Sequence, residues 1–311
     1  MPGVSRVGAT SGEGRGFSSR ALPTEEELAS FRATVLLRGR ELYRDLPWRR
    51  TRDPYAIWIS EVMLQQTQVS RVDGRWQHWL ELFPTVDALA AADSADVLGE
   101  WQGLGYNRRA LSLWRAAREV SAAGGRMPSD EAALKALPGI GPATAAGIRA
   151  FAFDLPGVYL ETNVRAVLLH EFFPEEDAVA DASLVPIVRA TCPKDASNAE
   201  DDPRTWYYAL LDYGAHLKAT VPNPSRRSRS HVRQSRFEGS HRQKRAEVLR
   251  ILLAHRADPR GGVDLDTLSV ELSREEVAAG RSEVDASVAQ TLLAELSKEG
   301  FCHNNGNIWC A

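Results

Sequence analysis

One carboxylate stands alone in a long uncharged stretch of the sequence. Between Tyr55 and Val69 the only ionisable carboxylate is Glu61, with apolar triplets on either side of it. Asp53-Pro54, a cap followed by a proline suited to the first turn, predicts a helix that runs to Val69. A buried carboxylate is costly unless it is protonated, paired or used. Glu61 is therefore either the partner of a distant arginine or a general acid whose pKa is raised by desolvation.

A second carboxylate, Glu161, precedes an apolar segment that predicts a helix over 164–169. Either Thr162 or Asn163 is expected to cap this helix. Glu161 would then lie at the helix N-terminus, where the dipole and free amides favour its ionised form. A neutral carboxyl and an ionised carboxylate together could hydrolyse a glycosidic bond. Because acidic residues are common at helix starts, a purely local role for Glu161 stays open.

The segment 137–145, LPGIGPATA, predicts a glycine hairpin between two helices. Ser129 is the expected cap of the first helix, over 130–136, and the second helix is expected over 144–153. Gly139, Gly141 and Thr144 are candidate DNA contacts, since bare amides at a helix N-terminus bind phosphate. A simple structural corner is the alternative.

Uncharged polar and aromatic residues near these segments could contact DNA bases. Gln65 and Gln66 follow Glu61 closely and are either capping and surface residues or probes of base edges. Tyr106 lies in a glycine-containing turn over 102–109, beside two arginines. It could stack on bases or wedge between them, and a core position under the turn is the alternative.

The charge of the chain is small overall and uneven. A net charge of −3 argues against a uniformly basic nucleic-acid coat. Between residues 223 and 256, however, ten cations face two carboxylates, a local balance of +8 that leaves −11 for the rest. Interleaved serines and histidines suit a phosphate backbone, and a solvated surface is the ordinary alternative. The candidate DNA contacts in this run are Arg226, Arg227, Arg229 and Arg233.

Length and composition indicate a globular protein of two or three domains. The chain has 311 residues, of which 43% are hydrophobic and 25% are charged. We find neither a membrane span nor a signal peptide, so we expect a cytoplasmic protein. Residues 1–22, rich in Gly, Ser and Arg, are expected to form a disordered tail. The three cysteines lack metal-ligand spacing and predict no metal site and no disulfide framework.

The last part of the chain predicts a small α+β domain. Helices are expected over 243–255, 265–272 and 286–298, followed by a hairpin over 301–310 that turns at Asn305-Gly306. This order of elements resembles a winged helix. We therefore divide the chain into the tail 1–22, a helical domain 23–222, a basic linker 223–242 and a winged-helix-like domain 243–311.

With these motifs in place, residues 46–218 resemble the helix-hairpin-helix DNA glycosylases, and among them the MutY-type adenine DNA glycosylases. The most specific match is 60–69, SEVMLQQTQV, and the segments 83–85, 103–106 and 137–141 match in the same order. The resemblance implies an all-α fold of two helical lobes. It makes Glu61 the acid that protonates the departing adenine and Asn163 the neighbour of a catalytic carboxylate. It also makes Tyr106 a wedge beside the opposing base and Gln66 a residue that enters the DNA stack.

The sequence departs from this family at three points, and a fourth residue bears on strand cleavage. Glu161 stands where the family has an aspartate that stabilises the oxocarbenium ion or attacks it. Ala143 lies where endonuclease III carries its Schiff-base lysine, so no amine-driven strand cleavage is expected. The four cysteines that bind an iron–sulfur cluster in the family are missing after 212–215, so we expect neither the cluster nor another cofactor. The winged-helix-like domain replaces the usual domain that reads 8-oxoguanine.

The sequence thus predicts a monofunctional, monomeric DNA N-glycosylase of base excision repair, acting on double-stranded DNA with a mismatch or damaged base. Adenine opposite guanine or 8-oxoguanine is the expected target. Deoxyinosine, uracil and mismatched thymine are alternatives, because the opposite-base reader differs. A non-catalytic DNA-binding regulator is the alternative from another class. A bifunctional lyase would need an amine that the hairpin does not supply.

Overall fold

A computed structural model describes residues 22–195, 201–233 and 235–311. Within these ranges the regular secondary structure is helical, apart from a three-stranded sheet near the C-terminus and a single isolated bridge. The expected disordered tail lies outside the described residues except for Leu22. None of the described helices is long and apolar enough to cross a bilayer.

The first lobe packs eight helices around a tryptophan-rich core. Trp58, Trp79 and Trp101 are fully buried there, and the last two meet edge to face with ring centroids 5.5 Å apart. The first of the eight helices, α2 (Pro54–Leu64), has eight of its eleven residues buried, so it lies at the centre of the lobe. The helices are α2 (Pro54–Leu64), α3 (Val69–Val72), α4 (Arg75–Leu82), α5 (Val86–Ala91), α6 (Ser94–Glu100), α7 (Arg108–Ala122), α8 (Glu131–Ala136) and α9 (Pro142–Phe153).

The second lobe joins the N-terminal helix to three later ones, around its own apolar core. They are α1 (Glu25–Glu41), α10 (Thr162–Phe172), α11 (Asp181–Thr191) and α12 (Pro203–Thr220). α12 packs between α1 and α10, and it also contacts α9 of the first lobe. Buried Asp212 of α12 accepts two hydrogen bonds from Arg49, at 2.7 and 2.8 Å. Because Arg49 precedes α2, this ion pair ties the two lobes together.

The last part of the chain folds as the predicted winged-helix-like domain. Its strands pair antiparallel in the order β1-β3-β2, with Val263 and Asn304 both opposite Trp309. Its apolar core is continuous with that of the first lobe, and Arg256 pairs with Asp93 at 3.0 Å. The elements are α13 (His241–Ala254), β1 (Val263–Asp264), α14 (Leu265–Ala278), α15 (Ala286–Glu299), β2 (His303–Asn305) and β3 (Ile308–Cys310).

Two local predictions are wrong in detail. Asp130 rather than Ser129 caps α8, since its carboxylate accepts the amide of Ala133 at 2.8 Å. The C-terminal hairpin turns at Gly306-Asn307 rather than Asn305-Gly306. Both turn residues have positive φ, 58° and 79°, as a two-residue hairpin turn of this type requires.

Candidate active site and DNA-binding surface

A half-buried arginine ends the helix that carries Glu61. α2 stops at Leu64 and not at Val69 as predicted, and a turn follows over 65–68. Burial lowers the pKa of Arg109 to about 10. Its guanidinium donates to carbonyl oxygens of the last turn of α2 and of two turns of the chain: those of Val62 (2.7 Å), Met63 (3.1 Å), Gln65 (2.6 Å), Leu104 (3.1 Å) and Gly105 (3.0 Å). Arg109 therefore joins the glutamine turn to the Tyr106 turn.

Glu61 lies on the face of α2 that meets α9. Gly147 of α9 makes this approach possible, because a β-carbon there would overlap Oε2 of Glu61. It would also lie 2.8 Å from the Tyr159 ring. The buried Tyr159 hydroxyl is a hydrogen-bond partner of the Glu61 carboxyl. Among the described residues Glu61 forms no ion pair with an arginine, which was the alternative interpretation. The buried arginine Arg49 pairs with Asp212 instead.

The surroundings of Glu61 favour its proton. Desolvation raises its pKa to about 8, the Tyr159 hydrogen bond opposes the rise, and the negative charge of Glu161 adds to it. The residue is half-buried, so it can be reached from outside while its carboxyl is largely dehydrated. At neutral pH the protonated form predominates, which is the state a general acid needs.

Glu161 is itself the N-cap of α10, where Thr162 or Asn163 was expected. Its Oε1 accepts hydrogen bonds from the amides of Asn163 (2.6 Å) and Val164 (2.9 Å). A carboxylate in this position meets the positive end of the helix dipole. The side chain of Glu161 is therefore fixed by the start of the helix.

The sequence predicts a neutral Glu61 and an ionised Glu161, but in the structure the pKa of each carboxyl is raised. Burial raises the pKa of Glu161 above its ordinary value, whereas the sequence predicts that the helix end holds it ionised. The difference arises because the sequence does not show that this carboxyl is buried. The amides of Val164 and Asn163, with the cations Lys218 and Arg165, oppose the rise. These groups reduce the effect of burial on Glu161 but do not reverse it.

Asn163 lies beside Glu161 and is held by α12. Lys218 donates to Oδ1 of Asn163 at 2.9 Å. Gly214, one turn earlier on α12, allows the two helices to meet, because a β-carbon there would overlap the Asn163 carbonyl oxygen. The start of α10 is thereby packed directly on α12.

The hairpin forms between α8 and α9 as predicted. Gly139 has a φ of 78°, and a β-carbon there would lie 2.7 Å from Cβ of Ser112, so the position requires glycine. Gly141 is the N-cap of α9 and leaves its first-turn amides without a side-chain cap. Buried Thr144 accepts a hydrogen bond from Nε2 of Gln65 at 3.0 Å. This bond places the hairpin amides beside the end of α2.

Tyr106 and Gln66 share an unusual backbone conformation. Their φ angles are 51° and 53°, in the left-handed region that non-glycine residues rarely adopt. Both are exposed, and 41% of the Tyr106 surface is accessible, so the alternative of a core tyrosine is excluded. The Arg109 guanidinium lies 5.5 Å from the Tyr106 ring centroid. Exposed residues held in such a strained backbone conformation are typical of functional surfaces.

The four predicted arginines of the basic run divide into two kinds. Arg226, Arg229 and Arg233 are exposed. Arg227 instead binds carbonyl oxygens at the end of α10, including that of Leu169 at 3.0 Å, and so has a structural role. Residues 224–227 form a short 3-10 helix packed on α10, so the beginning of the expected linker is part of the second lobe.

The cysteines of the chain do not fit an iron–sulfur cluster. Such clusters are held by four cysteines, or by two with histidines, and this sequence has three cysteines. Cys192 is buried next to α11, while Cys302 and Cys310 belong to the winged-helix-like domain. Across the described ranges, no group of three or more His, Cys, Asp or Glu is placed to hold a metal ion.

Three residues of the site are not found by sequence reasoning. Gly147 offers one signal, because glycine inside a helix is unfavourable and marks close approach. Tyr159 and Lys218 give no local signal, since only the folded chain brings them to Glu61 and Asn163.

Comparison with known proteins shows the family to which this chain belongs. Residues 59–196 match the HhH-GPD superfamily of base excision DNA repair proteins. An adenine DNA glycosylase of Mycolicibacterium smegmatis is 36% identical over 226 residues, which cover 67% of this chain and 75% of that protein. The human adenine DNA glycosylase is 40% identical over 152 residues, 46% of this chain and 28% of that protein. The chain therefore belongs to the family of MutY-type adenine DNA glycosylases.

Solved structures agree with the fold. A thermostable thymine-DNA glycosylase superposes with a TM-score of 0.56 at 24% identity, over 64% of this chain and 91% of that one. Endonuclease III in a non-covalent DNA complex gives a TM-score of 0.51 at 15% identity, over 71% and 94% of the two chains. The all-α helix-hairpin-helix fold predicted from the sequence is confirmed.

Proposed function

We propose that this protein is a monofunctional DNA N-glycosylase that removes adenine mispaired with guanine or 8-oxoguanine. The observation that carries the proposal is Glu61, a half-buried carboxyl that Gly147 and Tyr159 adjoin and whose pKa is raised to about 8, near a hairpin with uncapped helix amides. Membership of the adenine DNA glycosylase family supports adenine as the base. The matched region covers 28% of the human relative and 37% of the Buchnera aphidicola relative. Adenine as the target base is therefore part of the proposal.

The two carboxyls divide the chemistry of hydrolysis. Glu61 donates its proton to the flipped adenine, so that the base leaves as a neutral molecule when its bond to the sugar breaks. Positive charge develops on the sugar, and the Glu161 carboxylate stabilises it. Water then adds its hydroxyl to the sugar carbon, and its proton restores the protonated form of Glu61. Ala143, in the first turn of α9, offers no amine, so the reaction ends at an abasic site.

The DNA duplex is held by contacts that do not depend on sequence. The first-turn amides of α9 take one phosphate, and Arg226, Arg229 and Arg233 lie exposed for others. Tyr106 and Gln66 enter the stack where the base leaves it. We propose that the protein acts as a monomer bound to DNA in the cytoplasm, without a cofactor. Iron and labile-sulfide determination tests the last point, and stoichiometric iron would overturn it.

One assay tests the proposed function directly. Purified protein is incubated with duplexes that contain adenine opposite 8-oxoguanine, adenine opposite guanine, deoxyinosine, uracil or thymine opposite guanine, with and without alkali. We expect alkali-dependent cleavage at adenine, and no cleavage without alkali. Preference for another base would replace adenine as the target. Cleavage without alkali would show a lyase, and no excision of any base would favour a DNA-binding regulator.

A further inference from the structure

Lys218 brings an ammonium group to the N-terminal end of α10. The residue lies in the last turn of α12 and is half-buried. Its Nζ donates a hydrogen bond to Oδ1 of Asn163 at 2.9 Å. Because an ammonium can only donate, this contact settles which end of the Asn163 amide faces α12: the oxygen does, and the NH2 group points away.

The position of this ammonium is fixed by helix packing. Gly214 and Lys218 are four residues apart and therefore lie on one face of α12. Gly214 lets that face touch the Asn163 backbone, and Lys218 reaches the Asn163 side chain. Two contacts one turn apart hold α12 and the start of α10 in a single register.

The charges around Glu161 make this cation important. Glu61 and Tyr159, on the side of α2 and α9, interact with Glu161 through groups that are negative when ionised. Arg165, on α10 itself, is engaged with Asp181 at 2.7 and 2.9 Å. Lys218, by contrast, binds a neutral amide oxygen, so its bonding partner does not cancel its charge.

We propose that Lys218 is a positioning residue for base excision, which orients the Asn163 side-chain amide and supplies a positive charge next to the residue whose backbone amide binds Glu161. The proposal rests on the proposed function of Glu161 as the stabilising carboxylate. Lys218 itself need not touch the DNA. It acts through Asn163 and Glu161, which the proposed function places near the reacting sugar.

The test compares Lys218→Met and Lys218→Arg in single-turnover excision across a range of pH. In Lys218→Met we expect the rate at neutral pH to fall roughly tenfold. The low-pH limb of the profile should also move upward by on the order of one pH unit, because an opposite charge beside Glu161 is lost. Lys218→Arg should keep the limb near its wild-type position. Lys135→Met removes an exposed lysine of α8, which is paired with Glu131, and is the matched control.

Melting temperature and duplex affinity are measured for each variant. A loss in Lys218→Met that is equal at every pH, or a wild-type profile, would overturn the proposal. If Lys218→Met fails to fold, the limb in Lys218→Arg and Lys218→Gln decides: only the uncharged variant should move it. Wild-type activity in Glu161→Asn would instead contradict the proposed function, whatever Lys218 does.

Discussion

The two carboxyls of the site, Glu61 and Glu161, have different neighbours, but each lies where a glycine lets two helices pack closely. In both places a glycine lets a second helix come close, Gly147 at Glu61 and Gly214 at Asn163 next to Glu161. Glu61 points from the middle of a buried helix toward a phenol, whereas Glu161 starts a helix and meets amides and an ammonium. Burial raises the pKa of both groups, and the rise is opposed by amides and cations at Glu161 but by the Tyr159 hydrogen bond at Glu61.

The largest effect is expected when the proton donor is removed. Glu61→Gln should abolish excision, since a general acid contributes on the order of a hundredfold or more in rate. Duplex affinity should stay within a few fold, because phosphate contacts dominate it. Single-turnover excision and equilibrium binding on the same preparation measure both, and unchanged excision would remove Glu61 from the mechanism.

Stability gives this variant a control that does not depend on activity. The folded-state pKa of Glu61 lies above its ordinary value of 4.5, so the wild type should lose stability as pH rises through about 8. Glu61→Gln has no such group and should melt at a higher temperature than the wild type in alkaline buffer. At pH 5 the difference should be small.

Removing the charge at the other carboxyl should have the next largest effect. Glu161→Asn should lose about 2 to 4 kcal/mol of transition-state stabilisation, as a preorganised electrostatic group does. Glu161→Asp keeps the charge and should retain much of the activity. Single-turnover rates separate the two variants. Equal activity of Glu161→Asn and the wild type would reduce Glu161 to a helix cap.

A smaller effect is expected where the carboxyl is moved but kept. In Gly147→Ala the new methyl would overlap the Glu61 carboxyl, so the acid should shift and the rate should fall roughly ten- to a hundredfold. Gly99→Ala is the matched control, because that helical glycine of α6 has open space around it. Wild-type rates in both variants would show that the contact with α9 does not position Glu61.

The smallest effect per residue is expected at the protein surface. Changing Arg226, Arg229 and Arg233 together to Gln should weaken binding to all duplexes alike and reduce the salt slope by up to about 0.9 per lost phosphate contact. Arg227→Gln should lower the melting temperature instead, since it binds carbonyls of the second lobe. An unchanged slope in the triple variant would assign these arginines to solvent.

Much of this arrangement is predictable from local signals. The hairpin glycines, the cap of α2 and the lone carboxylate at Glu61 follow from residue type and spacing. The end of α2 is not predictable, because it depends on Arg109, which is distant in the sequence. The direction of the Glu161 pKa shift also escapes prediction. The sequence shows the helix start but not the burial that outweighs it.

The central claim is that the fold keeps Glu61 protonated at neutral pH. Carbon-13 NMR of protein labelled at the glutamate carboxyl carbons, recorded against pH for the wild type and Glu61→Gln, tests it most directly. One carboxyl signal should titrate near pH 8 in the wild type and be missing from the variant. If the signal missing from the variant is instead one that titrates near the ordinary value of 4.5, the account of Glu61 as a preformed acid is contradicted.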